Sequence, residues 1–308
     1  MTNKNNLQEP SGVLIVSKHA GVTSHDIVNK IRRLYQTRRV GHTGTLDPMA
    51  TGVLVVLIGR AAKAAEYLVT ESKHYRAVMR LGLTTDTEDI TGTILTSCGE
   101  LPDFSRVEAV LPQFLGKIQQ IPPMYSALKV GGQKLVDLAR QGKTVERQPR
   151  QIEIFSLNAE PTDQPTDVIL NVHCSGGTYI RTLCADIGQV LGCGGAMAAL
   201  ERTETGGFSL CQSHTIEQLE QMSEEERLAL LIPTEQLFTS LPALRLPAFY
   251  ERLCRSGCEI YLSKLKKEFS LGSRVRICSE NGTFFALGEV KEYEHGLAVK
   301  SIKTFSLD

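Results

Sequence analysis

Gly41-His42-Thr43-Gly44-Thr45-Leu46-Asp47-Pro48-Met49-Ala50-Thr51-Gly52 is the densest local anomaly of this chain. Its glycines permit unusual backbone angles and close approach of a ligand, and Pro48 stiffens the backbone beside a single carboxylate. An isolated Asp-Pro pair merely opens a turn, but this one lies between two core-forming segments. Val53–Ile58, directly after it, is an unbroken aliphatic run that reads as a buried strand. Before it, Thr23–Gln36 sets Ile27, Val28, Ile31, Leu34 and Tyr35 at helical period, with Thr23 and Asp26 as a capping box. A polar loop is thus held against the core. It is not a phosphate loop, because no Gly-Lys-Ser/Thr follows.

Further out, Gly12–Ser17 is a short buried strand, and Tyr75, Ala77, Met79 and Leu81 alternate with Arg76, Val78 and Arg80 as one strand face would. Thr166–Cys174 alternates too, and Gly176–Gly177 turns into a helix over Tyr179–Leu191. Helices and strands intermix, which gives an α+β class. Between 117 and 150, Pro122–Pro123, Gly131–Gly132 and Gly142 punctuate a stretch with Lys129, Lys134, Arg140, Lys143, Arg147 and Arg150, expected to be a mobile basic insertion outside the core. Glu217–Glu226 reads as one exposed helix. After Leu241 a helix from Pro247 to Gly257 precedes alternating strands joined at Asn281–Gly282, a strong hairpin signal. Residues 1–241 and 242–308 are the expected domains.

The 34 basic and 34 acidic side chains cancel, yet residues 1–150 hold 20 basic and 13 acidic ones and residues 151–308 hold 14 and 21. A polyanion would meet the first half. The opening segment Met1–Gly12 is polar, with no signal-peptide pattern, and no apolar run is long enough to span a bilayer. Eight scattered cysteines with no CxxC pair are expected to be reduced thiols in the cytoplasm. Cys254 and Cys258 would share a helix side, but a zinc site needs two further ligands that the spacing does not supply.

The segments Lys18-His19-Ala20-Gly21-Val22-Thr23-Ser24, Gly41 to Gly52, Lys73-His74-Tyr75-Arg76, Thr85-Asp86-Thr87-Glu88-Asp89 and Pro122 to Lys129 follow one another in order. So do Ser175 to Thr182 and Leu200-Glu201-Arg202-Thr203. This succession, over roughly residues 12–210, resembles the bacterial tRNA pseudouridine synthases of the TruB type, which isomerise the uridine at position 55 in the T loop. One departure is His19 where that family usually has proline, which leaves the loop less restricted. The resemblance implies a mixed, mainly antiparallel sheet flanked by helices, a basic insertion, and a small C-terminal PUA-like RNA-binding β domain.

By the same resemblance Asp47 is the catalytic carboxylate, Arg181 its guanidinium partner, and Tyr75 the aromatic that stacks on the extruded base and is a candidate proton acceptor. Tyr179 and Leu200 line the pocket, and His42 inserts where the extruded nucleotides lay. Lys18, Lys129, Arg140 and Lys143 are implied RNA contacts. The implied partner is the T arm of tRNA, without guide RNA, and the protein is expected to be a monomer. No metal or cofactor is implied, since the reaction is a redox-neutral isomerisation. Two other classes compete: a glycosidic-bond hydrolase would need a second carboxylate, which the sequence does not reveal, and a non-catalytic tRNA chaperone would not need Asp47, Tyr75 and Arg181 together.

Overall fold

The computed structural model describes residues 9–68 and 72–306, so the first eight residues of the polar opening segment lie outside it. Among these residues a nine-stranded sheet runs Gly12–Lys18, Thr51–Ile58, Gly195–Thr205, Lys73–Leu81, Asp167–Cys174, Arg150–Pro161 and Gly116–Gln120, with Val40–His42 and Phe208–Ser209 paired off that path. Neighbours are antiparallel except where Glu201 and Arg202 meet Thr51 and Gly52. The mixed, mainly antiparallel α+β expectation holds.

The sequence patterns follow from which faces are covered. Val53, Val55 and Leu57 pack with Val13 and Ile15 on one side, while Leu54, Val56 and Ile58 pack with Leu14, Val16, Ile27 and Ile31 on the other. A strand buried on both faces reads as a continuous aliphatic run. Lys73–Leu81 buries alternate residues, of which Tyr75, Ala77, Met79 and Leu81 pack against the helix Ile180–Leu191, hence its alternation. That helix crosses the Gly195–Thr205 strand where a Cβ on Gly188 would lie 2.1 Å from the Gly195 nitrogen, so glycine sets the approach.

The helix Ser24–Leu34 starts at the expected capping box, with Thr23 and Asp26 bonding reciprocally. Three expectations need correction. The Glu217–Glu226 stretch is two helices, Ile216–Gln221 and Glu224–Ala229, because Ser223 forms its own capping box with Glu226 and restarts the chain. Cys258 does not share a helix side with Cys254: the helix Ala248–Arg255 has ended, Gly257 is left-handed, and Cys258 is exposed while Cys254 is buried. The basic insertion is not wholly outside the core. Its first residues form the edge strand Gly116–Gln120, and its helix Leu135–Arg140 buries Leu135 and Leu138.

Residues from 243 onward build a five-stranded sheet in the order Ala243–Arg245, Arg274–Cys278, Phe284–Tyr293, Gly296–Thr304 and Ile260–Tyr261, the expected PUA-like β unit. Asn281–Gly282 makes its hairpin turn, Gly282 being left-handed. Leu287 and Phe305 reach into the core formed with Val13, Val55 and Phe238, so the small sheet packs on the large one. Among the described residues no helix is long and apolar enough to cross a membrane.

Candidate active site

The Asp47 loop is clamped from both flanks. Ser24 Oγ, buried in the first turn of its helix, accepts from the Leu46 N–H at 2.9 Å and donates to the Leu46 carbonyl at 3.1 Å. Lys18, 1% exposed, donates through Nζ to the carbonyls of Ala50 at 2.5 Å, His19 at 3.0 Å and Pro48 at 3.2 Å. The family resemblance implies Lys18 as an RNA contact, but here its amine is buried and spent on three backbone carbonyls. Lys18 is an internal tie across the residues that flank Asp47. Burial lowers its amine to about 8, against the opposing pull of Asp47. Lys18→Met should cost roughly 2–4 kcal/mol of stability, because three carbonyls lose a charged donor; unfolding in urea measures this, and an unchanged midpoint would show that the tie contributes nothing.

Arg181, in the first turn of the helix Ile180–Leu191, reaches across 134 residues of sequence to donate from Nη2 to Asp47 Oδ2 at 2.5 Å. Its other amine lies 3.8 Å from Asp89 Oδ2. The guanidinium and Asp89 are each 7% exposed in their side chains, whereas Asp47 is 32% exposed. Asp89 is itself fixed by the Thr91 N–H and the Thr87 and Thr91 hydroxyls. The acid that the sequence does not reveal is thus present behind the arginine, its Oδ1 accepting all three hydrogen bonds and its Oδ2 facing Arg181. Its only sequence signal is the run of threonines and acids from Thr85 to Asp89. Burial pushes the Asp47 carboxyl above the usual carboxylate range, Arg181 and Lys18 pull it down, and Asp89 adds to the rise.

Asp47 and Arg181 border a cavity of about 370 Å³ walled by Tyr75, Tyr179, Leu200 and Arg202, within the usual range for a small-molecule site. Burial raises the phenols of Tyr75 and Tyr179. Both rings face the cavity as neutral phenols. Arg202, 1% exposed, donates to the Val53 carbonyl at 2.8 Å and the Gly44 carbonyl at 3.0 Å, pinning the loop from below. Gly52, with φ +103°, passes so close that a Cβ would lie 2.2 Å from the Arg202 carbonyl oxygen. No local pattern around Arg202 in the sequence signals this task.

His42 ends the strand Val40–His42 next to the cavity without walling it, and its buried Nδ1 has no hydrogen-bond partner among the described residues. Burial lowers its pKa. Lys129, Arg140 and Lys143 lie on the insertion, and Arg140 borders a second hollow that also touches Asp47 and Arg181. Arg147 differs from them: it donates to the Pro122 carbonyl at 3.0 Å. No cluster of three metal-ligating side chains occurs among the described residues.

A model described as TruB family pseudouridylate synthase (N terminal domain) matches residues 32–180, and one described as tRNA pseudouridylate synthase B C-terminal domain matches residues 181–239. The tRNA pseudouridine synthase B of Francisella tularensis subsp. novicida is 44% identical over 241 residues, 78% of this chain and 80% of that protein. Its counterpart in Syntrophotalea carbinolica is 46% identical over 235 residues, 76% of each. Among solved structures, a chain of a Cbf5-Nop10-Gar1 complex superimposes with a TM-score of 0.73 at 25% identity, covering 96% of this chain and 85% of that one. A chain of the archaeal box H/ACA sRNP Nop10-Cbf5 complex gives 0.72 at 25% identity, covering 97% and 88%.

Proposed function

The chain belongs to the TruB family of pseudouridylate synthases, it converts uridine to pseudouridine in tRNA, and we propose that its target is the uridine at position 55 in the T loop. The observation that carries the assignment of the site is the ion pair of Asp47 and Arg181 at the mouth of a cavity walled by Tyr75, Tyr179 and Leu200. In the reaction the N1–C1′ bond breaks, the uracil turns, C5 bonds to C1′, and the C5 proton is lost as N1 gains one. Asp47 supplies the negative charge, as nucleophile or as counter-charge to the sugar. Arg181 orients it and favours its ionised form. Tyr75, Tyr179 and Leu200 hold the extruded base, whose unstacking costs a few kcal/mol. His42 occupies the vacated stack.

The same reading makes residues 1–241 the catalytic domain and residues 242–308 an RNA-binding domain, with the protein acting as a cytoplasmic monomer without guide RNA, metal or cofactor. The test is tritium release from T stem-loop RNA labelled at uridine C5, with no metal or nucleotide added. Release should stop when the target uridine is replaced by cytidine. Free uracil instead of tritium would identify a hydrolase, and tight binding with neither product would identify a chaperone.

On this reading Lys129, Arg140 and Lys143 meet phosphates, which position the loop without reading its sequence. Neutralising all three should flatten the slope of log K against log salt by roughly 0.7–0.9 for each phosphate left without its cation. Neutralising Arg147, committed to Pro122, should leave that slope unchanged. A triple variant with the wild-type slope would remove the insertion from the RNA interface.

A further inference from the structure

The helix that presents Arg181 starts without an ordinary cap. Tyr179 occupies the N-cap position, and its side chain makes no cap hydrogen bond, although leading N–H groups of a helix need partners. Another part of the chain supplies one. The Tyr179 N–H donates to Gln120 Oε1 at 2.9 Å, and Gln120 Nε2 donates to the Tyr179 carbonyl at 3.0 Å. A side chain here makes the paired bonds that one strand offers another, and Gln120 is 2% exposed.

Gln120 is also where the basic insertion leaves the sheet. It is the last residue of Gly116–Gln120 and pairs with Arg150, the first residue of the returning strand. Arg147 closes the same base through Pro122. The stem of the insertion and the first turn of the arginine helix therefore share one bidentate junction.

We propose that Gln120 is a positioning residue for the reaction: it locks the backbone of Tyr179, and with it the Tyr179 ring and the Arg181 guanidinium, in register with the stem of the insertion. This rests on the reading of Tyr179 and Arg181 as pocket residues. An insertion seated on RNA and the arginine that faces Asp47 then move as one body. Alanine at 120 would leave the pocket walls intact and release their common anchor. Glutamate is more informative, because ionised it accepts from the Tyr179 N–H but sets oxygen against the Tyr179 carbonyl oxygen. Protonated, it donates to that carbonyl and restores both bonds.

The experiment compares the wild type, Gln120→Ala and Gln120→Glu by single-turnover tritium release from a T stem-loop, filter binding of the same RNA, and thermal melting. Gln120→Ala should slow release by roughly 30–100-fold, the scale of a small misplacement of a reacting group, with Kd within about threefold of wild type. The rate of Gln120→Glu relative to wild type at the same pH should climb as pH falls. Wild-type turnover in Gln120→Ala, a loss carried by Kd instead of rate, or a pH-independent Gln120→Glu ratio would each overturn the inference. If Gln120→Ala melts below the assay temperature, the Gln120→Glu ratio decides alone. A wild type that releases no tritium would instead sink the proposed function, so the two failures are distinguishable.

Discussion

Asp47→Asn is expected to bind a T stem-loop as tightly as the wild type and to release tritium from it at least ~10⁴-fold more slowly, the scale seen when a central reacting group is removed. The substitution conserves volume and deletes only the charge. Its cost should not fall on the fold. Because burial raises the Asp47 pKa above its unfolded value, ionising this group weakens the native state as pH climbs through the carboxylate range. The amide escapes that penalty, and Arg181 keeps Asp89 beside it. The variant should melt no lower than the wild type at neutral pH. Substantial turnover would take Asp47 out of the chemistry, and a lower melting temperature accompanied by weakened binding would make it a structural residue.

Some of this site was legible in the residues because its signals are local. The loop around Asp47 announces itself through glycine and proline, whose backbone demands hold in any context. Asn281–Gly282 and the Thr23–Asp26 box likewise act within a few residues. Other parts depend on distant partners. Lys18 has no local signal for burial, since lysine is usually exposed, and only the carbonyls of Pro48 and Ala50, some 30 residues away, give it reason to be buried. Asp89 sits in a polar turn that reads as an exposed loop, and becomes a buried counter-charge only when the helix carrying Arg181 packs over it. The insertion read as uniformly mobile because its glycines and lysines are conspicuous, while two leucines at helical spacing, Leu135 and Leu138, were too few to mark a packed face. The resemblance to a known family supplied Arg181 and Tyr179. Periodicity alone would have left one as a surface arginine and the other as packing.

The dependence of Asp47 on Arg181 leads to the second large effect. Arg181→Met removes the largest influence that holds the Asp47 pKa down, and leaves burial and Asp89 to push it up. Two carboxylates then share a site with no cation between them, which should cost about 3–5 kcal/mol at neutral pH, as for a buried pair that loses one partner. The sign of the pH dependence follows. A carboxylate with a raised native pKa, as Asp47 has, binds protons more tightly in the fold than in the unfolded chain, so the variant should lose stability as pH rises, more steeply than the wild type does. Activity should move the other way: the ionised Asp47 that the reaction needs is populated only at higher pH, and residual tritium release should climb with pH where the wild type is level. Arg181→Lys restores a charge without the planar fork that reaches Asp47 and Asp89 together, so it should recover most of the stability and remain ~10²–10³-fold slow. Urea titrations and single-turnover rates at several pH values measure both trends. An Arg181→Met profile parallel to that of the wild type would mean that the charge on Asp47 is set by something other than this arginine.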